Sequence, residues 1–99
     1  MDSVSLAFDQ QRLAEICQRY GVVRLDVFGS VSRGDATDAS DIDVLYELAP
    51  EAKLGWTIET LAGELADVFG RQVDLVSRRS LHERLRDRVI AEARPLYAA

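Results

Sequence analysis

The sequence is poor in lysine, in cysteine and in long apolar runs. Lys53 is the only lysine among 12 cationic residues, and 17 acidic residues give a formal net charge of −5. Because nucleic-acid polymers are held by clustered basic side chains, this balance argues against such a partner. No apolar stretch approaches the ~20 residues of a membrane-spanning helix, and the first residues lack the basic segment of a secretory signal. We therefore expect a cytoplasmic protein that does not enter a membrane.

A single cysteine, Cys17, excludes an internal disulfide, which agrees with a reducing compartment. It falls on the apolar face of a predicted helix, so we expect a packed core thiol rather than a reactive one. With 99 residues there is room for one modest core. The sequence therefore predicts one domain over residues 1–99.

Hydrophobic periodicity predicts an alternation of helices and strands. The first predicted elements are a helix capped by Asp9 and running to about Tyr20, a strand over 22–28, a short helix opening at Ser30 and a strand over 42–48. A helix from Leu54 to Phe69 follows, which Gly70 ends, and then a strand over 72–76. The last predicted element is a helix that begins with Ser80 and Glu83 as a capping box and that Pro95 ends. This order predicts a small α/β or α+β fold with helices packed on one sheet.

Two acidic residues stand at the beginning of the second predicted strand, one just before it and one within it. Residues two apart on a strand point to the same face, so Asp41 and Asp43 are expected to lie side by side. Two like charges on a core strand repel each other and lose hydration unless a cation joins them. Mg²⁺ prefers carboxylate oxygens and often binds together with substrate phosphates. A strand that ends in Gly29 and Ser30 precedes this pair, and a helix opening there would offer backbone N–H groups to phosphate.

Three short motifs follow one another along the chain: Gly29-Ser30 with Arg33-Gly34, then Ser40-Asp41-Ile42-Asp43, then Val73-Asp74-Leu75-Val76. Together they resemble the signature of the nucleotidyltransferase superfamily related to DNA polymerase β, and they are most similar to the minimal nucleotidyltransferases, the MntA-like antitoxins of HEPN/MNT toxin–antitoxin pairs. The resemblance extends roughly from Leu13 to Tyr97.

The resemblance implies a small nucleotidyltransferase fold, with a mixed three- to four-stranded sheet and about four helices. It implies that Asp41, Asp43 and Asp74 are metal ligands and catalytic residues, with Mg²⁺ as the cofactor and ATP as the substrate. It also implies that Gly29 and Ser30 bind phosphate.

Taken one by one, these residues also have structural interpretations. Asp74 can be a strand-edge residue in water, Asp41 can cap a turn, and Gly29 with Ser30 can form a simple turn. Arg33 is a candidate for binding phosphate or a partner, although an exposed arginine fits equally well. Three other arginines flank the third strand, where one could meet phosphate or an acidic partner: Arg71, Arg78 and Arg79. Three more alternate with acids on the last helix, which predicts a solvated face: Arg84, Arg86 and Arg88.

The resemblance implies an antitoxin that transfers AMP from ATP to a tyrosine of its cognate HEPN ribonuclease toxin. A triphosphate site is visible in the sequence, whereas a lobe that would enclose a small acceptor is not, so we expect a macromolecular acceptor, most simply a protein. One alternative is an antitoxin that neutralises the toxin by binding alone. Another is nucleotidyl transfer to a small molecule such as an aminoglycoside.

Overall fold

The computed structural model describes residues 8–29 and 41–99. Within them lie three α-helices, a short 3₁₀ turn at Gly55–Thr57 and four strands. In chain order the helices and strands are α1 (Gln10–Tyr20), β1 (Val22–Phe28), β2 (Ile42–Leu48), α2 (Ile58–Phe69), β3 (Val73–Ser77), α3 (Glu83–Glu92) and β4 (Arg94–Ala98). The predicted helix at Ser30, and the predicted phosphate contacts of Ser30 and Arg33, lie outside the described residues.

The four strands form one mixed sheet in the order β3-β2-β1-β4. β1 is antiparallel to both β2 and β4, whereas β2 and β3 are parallel. The expected α+β fold with a mixed sheet is confirmed. None of the helices in the described ranges is long and apolar enough to span a bilayer.

The core lies between one face of this sheet and helices α1 and α2. Alternate residues of the central strands point into it, and all are fully buried or nearly so: Leu25, Val27, Ile42 and Val44. The helices contribute apolar stripes at three- and four-residue spacing, with Leu13, Ile16, Leu61 and Leu65 at most 2% exposed. Cys17 is fully buried in the same cluster, so the prediction of a packed core thiol is confirmed.

The start of the last helix differs from the prediction. A capping box of Ser80 and Glu83 is wrong, because His82 is the N-cap and its Nδ1 accepts a hydrogen bond from the backbone N–H of Arg84 at 3.1 Å. The backbone N–H of Ser80 instead donates to the carbonyl of Ser77 at 3.1 Å. Ser80 therefore belongs to a turn that follows β3, and it does not cap the helix.

The sequence pattern also missed strand β4. Pro95 was expected to stop a helix, but α3 already ends at Glu92, and Pro95 lies in β4 opposite Asp26. Proline lacks the N–H that a central strand needs, and an edge strand such as β4 tolerates it. β4 is parallel to β3, and helix α3 connects these two edge strands. Residues of α3 lie beside Phe28 and Asp43, so the helix crosses the sheet on the face opposite α1 and α2.

Candidate active site

Asp43 and Asp74 lie next to each other on adjacent parallel strands. Asp43 is the register partner of Asp74 on β3 and of Phe28 on β1. Register partners point to the same face, so both carboxylates lie on the face opposite α1 and α2. Neighbouring strands are about 4.8 Å apart. The fold therefore brings together two acidic residues that are far apart in sequence, with Asp43 half-buried and Asp74 exposed.

Asp41 directly precedes β2 and is exposed. The backbone N–H of the next residue, Ile42, donates to the carbonyl of Gln72 at 2.9 Å. This bond fixes the chain beside Asp41 to the start of β3. The segments that carry the three predicted carboxylates therefore meet at one end of the sheet.

Gly29 closely approaches Asp43. Its φ of +75° lies in the left-handed region, and a Cβ built on it would lie 2.5 Å from Oδ2 of Asp43. A Cβ cannot occupy that position unless the carboxylate moves. The glycine therefore allows the end of β1 to pass directly beside the acidic side chain.

An open cleft of about 390 Å³ lies beside this contact. Phe28, Gly29 and Asp43 form its sheet side, and one stripe of α3 at i, i+3, i+4 and i+7 forms the other. That stripe consists of Leu85, Arg88, Val89 and Glu92. Sequence reasoning missed Arg88 and Glu92 as site residues. The helical spacing was visible in the sequence, but only the path of α3 across the sheet reveals which stripe meets Asp43.

The carboxylates fit Mg²⁺ in one particular way. Among the described residues, no group of three or more His, Cys, Asp or Glu side chains is arranged to hold a metal ion. Asp43 and Asp74 nevertheless present hard oxygen donors from adjacent register positions. Mg²⁺ commonly takes one or two carboxylates and completes its shell with water and substrate phosphates. The arrangement therefore fits an ion that binds together with a phosphate ligand, rather than a closed protein cage.

Arg78 lies at the opposite end of β3 from Asp74 and contacts a buried acid. Its Nη1 is 2.9 Å from Oδ2 of Asp26, which is fully buried, and its Nε is 3.7 Å from Glu47. The Nε of Arg24 reaches the same Asp26 oxygen at 3.0 Å. This ion network ties β3 to β1 across β2. Arg78 therefore binds a carboxylate of its own sheet, at a distance from the carboxylate pair.

The other two arginines that flank β3 lie at its two ends. Arg71 is half-buried and precedes the strand, on the side of Asp74. Arg79 is exposed and lines a cleft of about 250 Å³ at the far end of the sheet, together with Arg86.

Three clearly perturbed titrations lie away from the cleft, at Cys17, Tyr20 and Glu64. Burial raises the pKa of the Cys17 thiol to about 12. On the helical side of the sheet, the Tyr20 hydroxyl donates a hydrogen bond to Glu64, which raises the pKa of Tyr20 and lowers the pKa of Glu64. Arg19 also pairs with Glu64, at 2.7 Å. Tyr20 and Arg19 on α1 therefore bind Glu64 on α2, and these contacts stabilise the packing of the two helices.

Comparison with known proteins gives one consistent family. The model of the nucleotidyltransferase domain matches residues 10–97. Protein adenylyltransferase MntA of Thermococcus cleftensis is 37% identical over 78 residues, which cover 79% of this chain and 78% of that protein. A relative from Methanocaldococcus jannaschii, provisionally named a protein adenylyltransferase, is 36% identical over 84 residues, 85% of this chain and 89% of the relative.

Solved structures share the fold. A chain provisionally described as a minimal nucleotidyltransferase superimposes with a TM-score of 0.72 at 40% identity, covering 87% of both chains. A toxin–antitoxin structure solved with AMP-PNP gives a TM-score of 0.71 at 25% identity, covering 92% of this chain and 74% of the other. In both cases the similarity extends over most of the two chains.

Proposed function

This chain belongs to the nucleotidyltransferase domain family and is an enzyme of that class, and we propose that it is an antitoxin that transfers AMP from ATP to a tyrosine of a cognate HEPN ribonuclease toxin. The similarity to a protein adenylyltransferase named MntA supports a protein acceptor. The similarity to a toxin–antitoxin structure that contains AMP-PNP supports an adenine nucleotide as donor. The proposed setting is the cytoplasm, where ATP is plentiful.

One observation carries this proposal: the cleft beside Gly29 and Asp43, with Asp74 in register on the next strand. In the proposed reaction the tyrosine oxygen forms a bond to the α-phosphorus of ATP, and the bond to the leaving pyrophosphate breaks. Asp74 is exposed at this edge, where it can accept the tyrosine proton on a carboxylate oxygen or position the hydroxyl. The backbone at Gly29 and Ser30 is proposed to bind phosphate.

Asp41, Asp43 and Asp74 are the proposed ligands of Mg²⁺. When bound, the ion would supply charge neutralisation to the triphosphate and to the departing pyrophosphate. The half-buried position of Asp43 supports this role, because partial exclusion of water strengthens the attraction between a carboxylate and a cation. Arg33 is a proposed phosphate or partner contact, on the basis of the sequence motif alone.

Transfer of label from ATP to the separately purified toxin tests the proposal. The protein, the toxin, ATP radiolabelled on its α-phosphate and Mg²⁺ are incubated together, and the label on the toxin is followed over time. The Asp41→Asn, Asp43→Asn double variant should lose transfer. The matched control is Asp67→Asn, because Asp67 is an exposed acid on α2, across the sheet from the cleft, and it should retain full transfer. Equal labelling by the double variant and the wild type would contradict the proposed site.

A further inference from the structure

We propose that Arg88 on α3 binds the β- and γ-phosphates of the nucleotide in this cleft, an inference that rests on the proposed function. Arg88 lines the same cleft as Gly29 and Asp43. It comes from a helix that carries none of the sequence motifs, and sequence reasoning placed it on a solvated face. Its position in the fold assigns it to the site.

The helix geometry explains why Arg88 reaches the cleft. Leu85 and Val89 are one turn apart on the same stripe, and both line the cleft beside Phe28. Arg88 lies on this stripe one residue before Val89, so the face of α3 that lines the cleft also presents the guanidinium to the site. Arg84 is one helical turn earlier and lines neither of the two clefts.

The charge distribution makes this arginine the natural phosphate ligand. Of the described residues that line the cleft, Asp43 and Glu92 are acidic, and Arg88 is the cation. Arg19, Arg24 and Arg78 are each engaged by a carboxylate of the fold. Arg88 is exposed and forms no ion pair with any part of the chain between 8 and 29 or between 41 and 99. Its guanidinium is therefore available to a ligand.

The triphosphate is the ligand group that this chemistry selects. A guanidinium presents planar, paired donors that match two phosphate oxygens. Most of the negative charge of ATP resides on the β- and γ-phosphates, which leave as pyrophosphate. A cation that lines the same cleft as Asp43 would offset the repulsion between this acid and the polyphosphate. Binding of AMP, which lacks these two groups, would gain little from Arg88.

Calorimetric titration of the full chain with AMP-PNP and with AMP, in the presence of Mg²⁺, tests the inference. Arg88→Ala should weaken AMP-PNP binding about ten- to a hundredfold, the usual effect of losing a charged hydrogen bond, and should leave AMP binding unchanged. Arg88→Lys should fall between Arg88→Ala and the wild type. The matched control Arg84→Ala removes the same side chain one turn away and should bind both nucleotides as the wild type does.

Each of the other outcomes is decisive. If Arg88→Ala binds AMP-PNP as tightly as the wild type, the inference is overturned while the proposed function stands. If Arg88→Ala weakens AMP and AMP-PNP equally, the contact with the terminal phosphates is overturned. If the wild type binds neither nucleotide, the proposed function fails and this inference fails with it. Because Arg88 is exposed, the thermal melting curve of Arg88→Ala should match that of the wild type, and this comparison verifies folding.

Discussion

Oδ2 of Asp43 lies 2.5 Å from the position that a Cβ at Gly29 would occupy. The backbone that follows β1 and the side chain of Asp43 on β2 therefore fit together only when residue 29 has no side chain. The backbone of Gly29 also has a φ of +75°, which L-residues with a side chain rarely adopt. Both constraints act at one glycine, and both act beside the carboxylate that the proposed chemistry uses.

Gly29→Ala should therefore abolish transfer as well as destabilise the fold. The left-handed backbone alone costs about 1–2 kcal/mol for an alanine, and the new Cβ must additionally displace the Asp43 carboxylate. Gly70→Ala is the matched control, because Gly70 has a φ of +70° but no atom within 4 Å of its virtual Cβ. Urea denaturation should show a loss of stability in both variants, whereas only Gly29→Ala should lose activity. Full activity in Gly29→Ala would show that the close contact does not matter.

Asp74→Asn separates binding from chemistry. The amide keeps the size of the side chain but cannot accept the proton of the attacking hydroxyl, so the rate of transfer should fall about a hundredfold or more. AMP-PNP affinity should change much less, because Asp74 is exposed and Asp43 remains on the adjacent strand. Single-turnover transfer and calorimetric titration of the same preparation measure the two quantities. A loss of nucleotide binding that accounts for the whole loss of rate would assign Asp74 to binding alone.

The sequence predicted the elements that carry strong local signals. The boundaries of β1 and β2 agree with the prediction, because apolar runs ended by Gly29 and by Ala49-Pro50 are unambiguous. Asp9 caps α1 as expected, with its Oδ1 accepting from the backbone N–H of Gln11 at 3.0 Å. These features depend on residues that are close together along the chain, so the local sequence pattern predicts them.

The features that depend on tertiary placement were missed. β4 contains a proline and a short apolar segment, and it becomes a strand only because the edge of β1 is free to pair with it. Arg88 enters the cleft because α3 crosses the sheet between two edge strands, which no local pattern encodes. Asp26 is an acidic residue within an otherwise mostly apolar strand, and only the fold shows that it is completely buried, with Arg78 beside it.

Loss of Arg78 should strongly destabilise the fold, because Asp26 stays buried. Arg78→Ala leaves the buried carboxylate with only the half-exposed Arg24, and breaking a buried ion pair in this way costs about 3–5 kcal/mol. Arg79→Ala is the control, because Arg79 is adjacent and exposed, and it should change stability by less than about 0.5 kcal/mol. Urea denaturation of the two variants measures the difference. Equal midpoints would contradict an energetic role for the pair.

Alkaline pH should weaken the fold through Cys17. The ordinary thiol pKa is 9.0 and burial raises the pKa of Cys17 to about 12, so the folded state retains a proton that the unfolded state releases. This contribution to the free energy of unfolding is fully present below pH 9 and is lost as pH rises from about 9 towards 12. Cys17→Ala removes the titration, although it also leaves a small cavity. Denaturation series at about pH 8 and about pH 10.5, which lie below and above the thiol's usual pKa, should show a smaller loss for Cys17→Ala than for the wild type. Parallel losses would assign the pH dependence to other groups, such as the Tyr20–Glu64 pair.

Intact mass spectrometry of the toxin distinguishes a catalyst that modifies its partner, as proposed, from a protein that only binds it. The toxin is held in large molar excess over this protein, with ATP and Mg²⁺, and its mass is followed with time. We predict that essentially all of the toxin gains mass in whole units of AMP, at a rate proportional to the amount of this protein. Toxin of unchanged mass, neutralised only up to an equimolar amount of this protein, would contradict the proposed transfer and show an antitoxin that acts by binding alone.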